Sequence, residues 1–383
     1  MYVTRPLSAF KNAAGAGHQP PPEGSGSGYL FLQDEELQPA SACCWGACKC
    51  DTDRIQQLPF PQNKILTLSY TEQSGKTTDT YSTAALFIPV PSQPLSSNRY
   101  YVIIARGKHK GKAYTCSKEE DMTSCCLCQC INDVKPKEFD HRDIYQQMEI
   151  VCHKGRFTAR PVASDGIPPS ILRKEYWSLH QVEHEEYALG LAAGLDEALR
   201  ARLPELHAAG VVVGRWYTPF VFVKEEMSLR DQVKHSAFYE VTLEQFWEEV
   251  YACENRHGPE KVVAEVKAVV RGEAAFLDGK EAKRYDTHDV DGLVWFKPLD
   301  SEGGSVKLRF PVWERMKWEQ SRWGWIGDEE QKVEKTVEHG GDGGWKRLRC
   351  YVLVERFAVR RMDGSLVLMV DFRHSHKVKC IWE

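Results

Sequence analysis

The chain has 383 residues, which at about 150 residues per domain points to two domains. Apolar residues make up 42% and charged residues 27%, an ordinary globular balance that excludes a wholly disordered chain. With 50 Lys plus Arg against 54 Asp plus Glu the net charge is −4, so the balance carries no strong nucleic-acid signal. No run of 18 apolar residues is long enough for a membrane span.

The opening residues have no apolar run behind them, so no secretory signal is expected, and the predicted location is cytoplasmic or nuclear. Residues 8–28 are rich in Gly, Pro, Ala and Ser and predict a partly flexible lead into a strand at Tyr29. Short apolar runs at 64–70, 84–90 and 100–105, punctuated by Pro59, Pro61, Pro89, Pro91 and Pro94, predict antiparallel strands. Residues 140–150 read as a helix capped by Asp140. The chain turns irregular around Pro161, Gly166, Pro168 and Pro169, which places a boundary between a β-rich domain over 1–162 and an α+β domain over 163–383.

In the second half, Leu195, Leu199, Leu203 and Leu206 predict a helix over 194–209, with Pro204 as a kink. Residues 242–257 also read as a helix: Thr242 and Gln245 match a capping box, and Gly258-Pro259 is a stop. Residues 262–270 alternate and predict a strand. Asp363-Gly364 is a type I′ turn signal between two long alternating runs. That turn opposes Val359 to Leu368, Phe357 to Val370 and Arg356 to Asp371, and puts Glu355 diagonal to His374 on a mainly apolar face. Continued without a break, the same face carries His376, Val378, Cys380 and Trp382. The fold class expected is α+β, mostly antiparallel β with a few helices, in two packed domains.

Thirteen cysteines are many for this length. Cys43, Cys44, Cys48 and Cys50 form one cluster and Cys116, Cys125, Cys126, Cys128 and Cys130 a second. Without a secretory signal all thirteen are expected to be reduced. A structural zinc needs four thiolate or imidazole ligands, usually as two closely spaced pairs. Cys48 with Cys50 and Cys128 with Cys130 would supply them, although one intervening residue is tighter than the usual gap. No other cofactor is implied. Arg106, Lys108, Lys110 and Lys112 fall on alternate positions, so a strand there would present an anion-binding face or a solvated edge. No aromatic residue interleaves with them, which argues against a stacking platform for single strands. His180 and His184 around Glu183 match an inverted zinc-protease pattern, which needs a helix. Trp313, Trp318, Trp323 and Trp325 read as core packing.

Glu355, His374 and His376 are the candidate catalytic group, because a buried Glu beside a His can form a charge-assisted pair or an acid–base dyad. No constellation combines nucleophile, base and oxyanion donors. The sequence therefore points to a non-enzymatic binding or interaction module, with an unknown protein as partner. The alternatives are an enzyme, with its site on the Glu355/His374 face, at Asp140-His141-Arg142 or between the domains, and a zinc-stabilised regulatory protein.

Several blocks stand out: Met1-Tyr2-Val3-Thr4-Arg5-Pro6, Cys43-Cys44-Trp45-Gly46, Leu58-Pro59-Phe60-Pro61-Gln62, Phe87-Ile88-Pro89-Val90-Pro91 and Gln93-Pro94-Leu95-Ser96-Ser97-Asn98-Arg99-Tyr100-Tyr101. Gly214-Arg215-Trp216-Tyr217, Met362-Asp363-Gly364-Ser365-Leu366 and Asp371-Phe372-Arg373-His374 follow them. Together these blocks resemble a land-plant family known as domain of unknown function 1262, over nearly the whole chain apart from about 175–206. The resemblance implies a plant origin and no activity, so it carries no catalytic residue over.

Overall fold

The computed structural model describes residues 1–11, 24–34, 53–125, 128–255, 263–287, 292–300, 303–327, 329–339 and 345–383. Among them are the helices α1 (Leu7–Lys11), α2 (Ser170–Arg173), α3 (Glu197–Arg202), α4 (Leu229–His235) and α5 (Phe310–Arg322). Everything else regular is strand or 3-10 turn, in agreement with a β-rich expectation. Contacts divide the chain into two units: Met1–Ala193 with Tyr217–Phe238 and Asp289–Gly292, and Gly194–Trp216 with Tyr239–His288 and Leu293–Glu383. The boundary expected at 162–163 falls inside the first unit.

In the first unit β1 (Tyr2–Pro6) pairs in parallel with β2 (Gly28–Leu32), the strand expected at Tyr29. There follow β3 (Arg54–Ile55), β4 (Lys64–Ser74), β5 (Thr77–Pro89) and β6 (Arg99–Ile104), then a separate hairpin of β7 (Met122–Cys125) and β8 (Cys128–Ile131). Next come β9 (Gln147–His153), β10 (Arg156–Pro161) and β11 (Ser178–Glu186). Antiparallel ladders order seven of these as β10-β9-β6-β5-β4-β11-β3. Phe60 sits at the centre of the core, 4.8 Å from the ring of Phe87 and 5.0 Å from that of Phe157. The helix expected at 140–150 is absent. One 3-10 turn, Ile144–Gln146, leads into β9, where buried Met148 and Ile150 alternate with half-buried Gln147 and Glu149. That period of two serves a sheet face and overrides the local cap signal.

The chain continues through β12 (Gly194–Leu195), β13 (Val211–Pro219) and β14 (Val223–Glu225) to the long strands that build the second unit. These are β15 (Phe238–Glu254), β16 (Val263–Arg271), β17 (Glu273–Leu277), β18 (Lys280–Thr287), β19 (Leu293–Pro298), β20 (Val306–Arg309), β21 (Glu330–Glu338), β22 (Arg347–Arg361) and β23 (Leu366–Trp382). The sheet order within this unit is β20-β19-β18-β17-β23-β22-β15-β13. The helix expected at 242–257 is β15, a strand laddered to β22 from Tyr239↔Arg361 to Glu254↔Arg347. Val241, Leu243 and Gln245 are buried, while Glu240 and Glu244 are half-buried, so the apolar spacing fits a strand. The helix expected over 194–209 shrinks to α3. Asp196 caps it by accepting from the Leu199 N–H at 2.9 Å, and Leu203, at φ 56, ends it before Pro204.

The C-terminal hairpin has the expected register: Val359↔Leu368, Phe357↔Val370, Arg356↔Asp371 and Glu355↔Phe372 are partners. Arg356 forks onto Asp371 at 2.6 and 2.9 Å, the cross-strand ion pair the register requires. The turn itself differs. Only Gly364 takes positive φ, at 85°, and Gly364 donates to the Arg361 carbonyl. This is a three-residue turn with Gly364 in the left-handed region rather than a two-residue I′ turn, and the expected register returns only at the shift between Arg360↔Leu366 and Val359↔Leu368, where Val367 is the extra residue.

Beyond His374 the expected face is wrong. Leu353 opposes His374, but Val352 opposes Val378, so Ser375, His376 and Lys377 bulge out of β23. An odd insertion reverses the side to which later residues point. Val378, Cys380 and Trp382 therefore lie on the opposite face from His374. There they pack with Val352, Cys350 and Leu348 against the ribbon of β16 and β21. The face that keeps Glu355 and His374 is covered by α5, whose Trp313 lies 6.1 Å from the ring of Phe372. The second unit is thus layered as ribbon, sheet and helix, each burying one apolar side.

Candidate functional site

Three elements bring the Glu355 side chain its partners. β15 places Gln245 directly opposite Glu355, and α3 aims Arg200 at the same carboxylate. Arg200 donates from Nε to Oε1 at 2.8 Å and from Nη2 to Oε2 at 2.5 Å. Gln245 Nε2 donates to Oε1 at 2.8 Å and to the Arg200 carbonyl at 3.2 Å, so the amide ties the end of α3 to the pair it carries. Arg200 Nη2 also reaches the Glu319 carbonyl at 3.1 Å. Glu319 in turn accepts from Arg315 Nη2 at 3.1 Å along α5. Both Glu355 and His374 are 0% exposed.

Planar bidentate pairing of this kind is the arrangement in which a buried carboxylate is best compensated. Burial alone would push the Glu355 carboxyl up. The His374 ring and the forked Arg200 guanidinium outweigh burial and hold it at about 2. His374 is displaced in the opposite sense: burial keeps the ring neutral and lowers its pKa, against the pull of Glu355. Its Nε2 lies 3.0 Å from Gln320 Oε1 and 3.8 Å from Glu355 Oε2. Nε2 and the Gln320 amide share one hydrogen bond, which fixes the position of the ring.

The bulge on β23 separates His376 from this network. Its exposed ring stands 5.6 Å from His374, and its pKa is lowered first by desolvation and then by the neighbouring His374 and Lys377. Lys377 projects over Trp323, with Nζ 3.3 Å from the ring centroid. Desolvation brings its amine down to about 8. Gly324, at φ 94, closes the other side, where a Cβ would stand 2.9 Å from His376 Nε2. The expected trio thus divides into a buried pair, Glu355 with His374, and an exposed His376. Arg200, Gln245 and Glu319 complete the buried network and carry no local sequence signal that marks them.

The other expected sites are placed as follows. Arg106–Lys112 lies in a turn rather than a strand: Lys110 donates to Gly107, Lys112 to His109 and Gly111 to Ile104 through the backbone. Arg106 and Lys108 are exposed and Lys110 and Lys112 half-buried, and the common strand face does not form. Two glycines at positive φ, Gly107 and Gly111, explain the turn. Cys48 and Cys50 lie outside the described residues, as does the Cys128 side chain, while Cys130 is exposed. Among the described residues no group of three or more His, Cys, Asp or Glu could hold a metal ion. The pattern at His180 lies on β11, so the helical face that a zinc-protease motif requires is missing. Cys350 and Cys380, expected as free thiols, face each other across β22 and β23 and form a disulfide.

Comparison with known families adds one assignment. Residues 23–127 match the family model described as "Protein of unknown function (DUF1262)". The match bears out the resemblance over that segment of the first unit; the blocks beyond it stand on their residues alone. No curated protein matches. Among solved structures, one titled "Crystal structure of Cry35Ab1" aligns with a TM-score of 0.47 and 9% identity, over 84% of this chain and 90% of that chain.

Proposed function

We propose that the protein is a non-enzymatic binding protein, and that the Glu355 network is the structural bolt of its second unit. One observation carries this reading. The carboxylate that would serve as catalytic base is fully buried and already satisfied by Arg200 and Gln245. A general base must reach a substrate proton directly or through one water, and its pKa should lie near the working pH. A carboxyl held at about 2 and closed in on every side meets neither requirement. His374 is equally enclosed, with its Nε2 committed to Gln320.

Turnover tests the proposal. The full chain is incubated with pooled small metabolites and generic ester, glycoside and phosphate substrates, and losses are followed by mass spectrometry. The expected result is no turnover. Substrate consumption that disappears in His374→Gln while the melting temperature stays put would overturn it.

A further inference from the structure

Where the link from β5 to β6 meets the start of β2, the first unit has a pocket of about 280 Å³, the space at its mouth included. A drug-sized ligand takes about 300–1,000 Å³, so this pocket admits a small group. Its frame has little freedom. Pro89, Pro91 and Pro94 fix the backbone of the link, and Val90 donates to the Arg99 carbonyl at 3.0 Å where β6 begins. Asn98, at φ 49, closes the turn by donating to the Leu95 carbonyl at 3.0 Å. Ser92 donates to the Ser27 carbonyl at 2.8 Å, and its hydroxyl accepts from the Gly26 N–H at 2.7 Å, which pins the lead into β2 against the link.

Val90, Pro94 and Leu95 give the pocket its apolar wall, Gln93, Asn98 and Arg99 its polar one, and no acidic residue lines it. Arg99 is the unusual member. It is half-buried, its Nε is closed off from solvent without a hydrogen-bond partner, and among the described residues its guanidinium makes no ion pair. Glu149 is its direct partner on β9, yet the two side chains do not pair. Arg54 and Arg349 also have an Nε without an acceptor, but Arg54 donates from Nη2 to the Gly155 carbonyl at 3.2 Å and Arg349 reaches Glu249 at 3.7 Å and Glu383 at 3.4 Å. Among the described residues the side-chain amides of Gln93 and Asn98 are uncommitted too. A buried guanidinium N–H without an acceptor is costly to the fold, and an arriving acceptor recovers that cost. A planar carboxylate matches a guanidinium fork and accepts further bonds from amides. We infer that this pocket binds a carboxylate on a short apolar stem, with Arg99 as its charge partner and Gln93 and Asn98 as further donors. The inference rests on the binding-protein reading and names the ligand class for it. Such a carboxylate belongs either to a free small acid or to the end of a peptide chain.

The test is calorimetric titration of the full chain with butyrate, and with hexa-alanine carrying a free or an amidated C-terminus. Butyrate is expected to bind with a dissociation constant on the order of 1 mM, and butyramide not to bind. Binding of the free-ended peptide about tenfold tighter than butyrate assigns the site to a chain terminus; binding of butyrate without the peptide assigns it to a free acid. Arg99→Gln should weaken binding by about tenfold or more. Asn98→Asp suits the same left-handed backbone and sets a carboxylate beside Arg99, so it should weaken binding by about as much. Lys108→Gln, an exposed lysine in the turn 106–112, should leave it unchanged. Circular dichroism and melting curves confirm that each variant is folded. Absence of binding, equal binding of butyramide or inorganic phosphate, a loss with Lys108→Gln as large as that with Arg99→Gln, or indifference to both Arg99→Gln and Asn98→Asp would each overturn the inference. Such a failure leaves the binding-protein reading intact; turnover that depends on His374 sinks that reading whatever butyrate does.

Discussion

Truncating Arg200 would leave the Glu355 carboxylate buried with Gln245 as its main remaining donor. Breaking a buried ion pair from one side costs about 3–5 kcal/mol, because an uncompensated charge stays inside. Arg200→Ala should therefore lower the urea midpoint strongly, whereas Arg200→Met with Glu355→Met should cost clearly less than the two single changes together. Additive losses would contradict the pairing. The same pair sets a pH signature. Glu355 is held at about 2 against an ordinary 4.5, so its contribution is complete above about 4.5 and drains away as pH falls toward 2. His374 acts in the same direction, since its folded pKa is lowered and the unfolded chain takes up the proton first below 6.5. The gap in urea midpoint between the natural chain and Glu355→Gln should stay constant from pH 7 to 5 and shrink from 4.5 to 3. A gap that does not change would mean that Glu355 is not held down.

At the scale of elements, the Cys350–Cys380 bridge ties β22 to the last residues of β23. Peptide mapping without reductant should recover the two cysteines in one linked peptide pair, and Cys350→Ser with Cys380→Ser should lower the melting temperature. Closing a loop of this length is worth about 3–4 kcal/mol in the chain-entropy view, an upper figure where β22 and β23 already meet in the denatured ensemble. Its absence from the sequence reading has a physical cause. A register carried straight past Phe372 pairs Cys380 with Arg347, and only the three-residue bulge brings it to Cys350. The hairpin from Val359 to His374 was legible because period-two alternation and an Asp-Gly turn are both local. β15 was not, since its capping-box pattern is local while the ladder that overrides it joins residues about a hundred positions apart. Glu355 and His374 could be found together for the first reason. Arg200, 155 residues from its partner, could not be found for the second.

Over the whole molecule, neither unit is a contiguous stretch of sequence, and that has a consequence for dissection. The first unit takes back Tyr217–Phe238 after the chain has left it. That segment is part of its core: Phe222 lies 6.0 Å from the ring of Tyr2 and 5.1 Å from that of Phe139, and Tyr217 is the β partner of Tyr2. Gly111, at φ 86, reinforces the dependence, because it leaves room for Leu229 of α4, which a Cβ would strike at 2.8 Å. A fragment of residues 1–193 loses all of these contacts and uncovers Tyr2 and Phe139, aromatic surface that a soluble monomer rarely leaves exposed. Such a fragment should bind a hydrophobic dye, exchange its β1 and β2 amides rapidly and be cut by protease at residues that the full chain protects. The segment 217–238 supplied in trans as a peptide should restore part of that protection. A fragment 1–193 that melts cooperatively and keeps β1 protected on its own would show that the returning segment decorates the first unit rather than completing it.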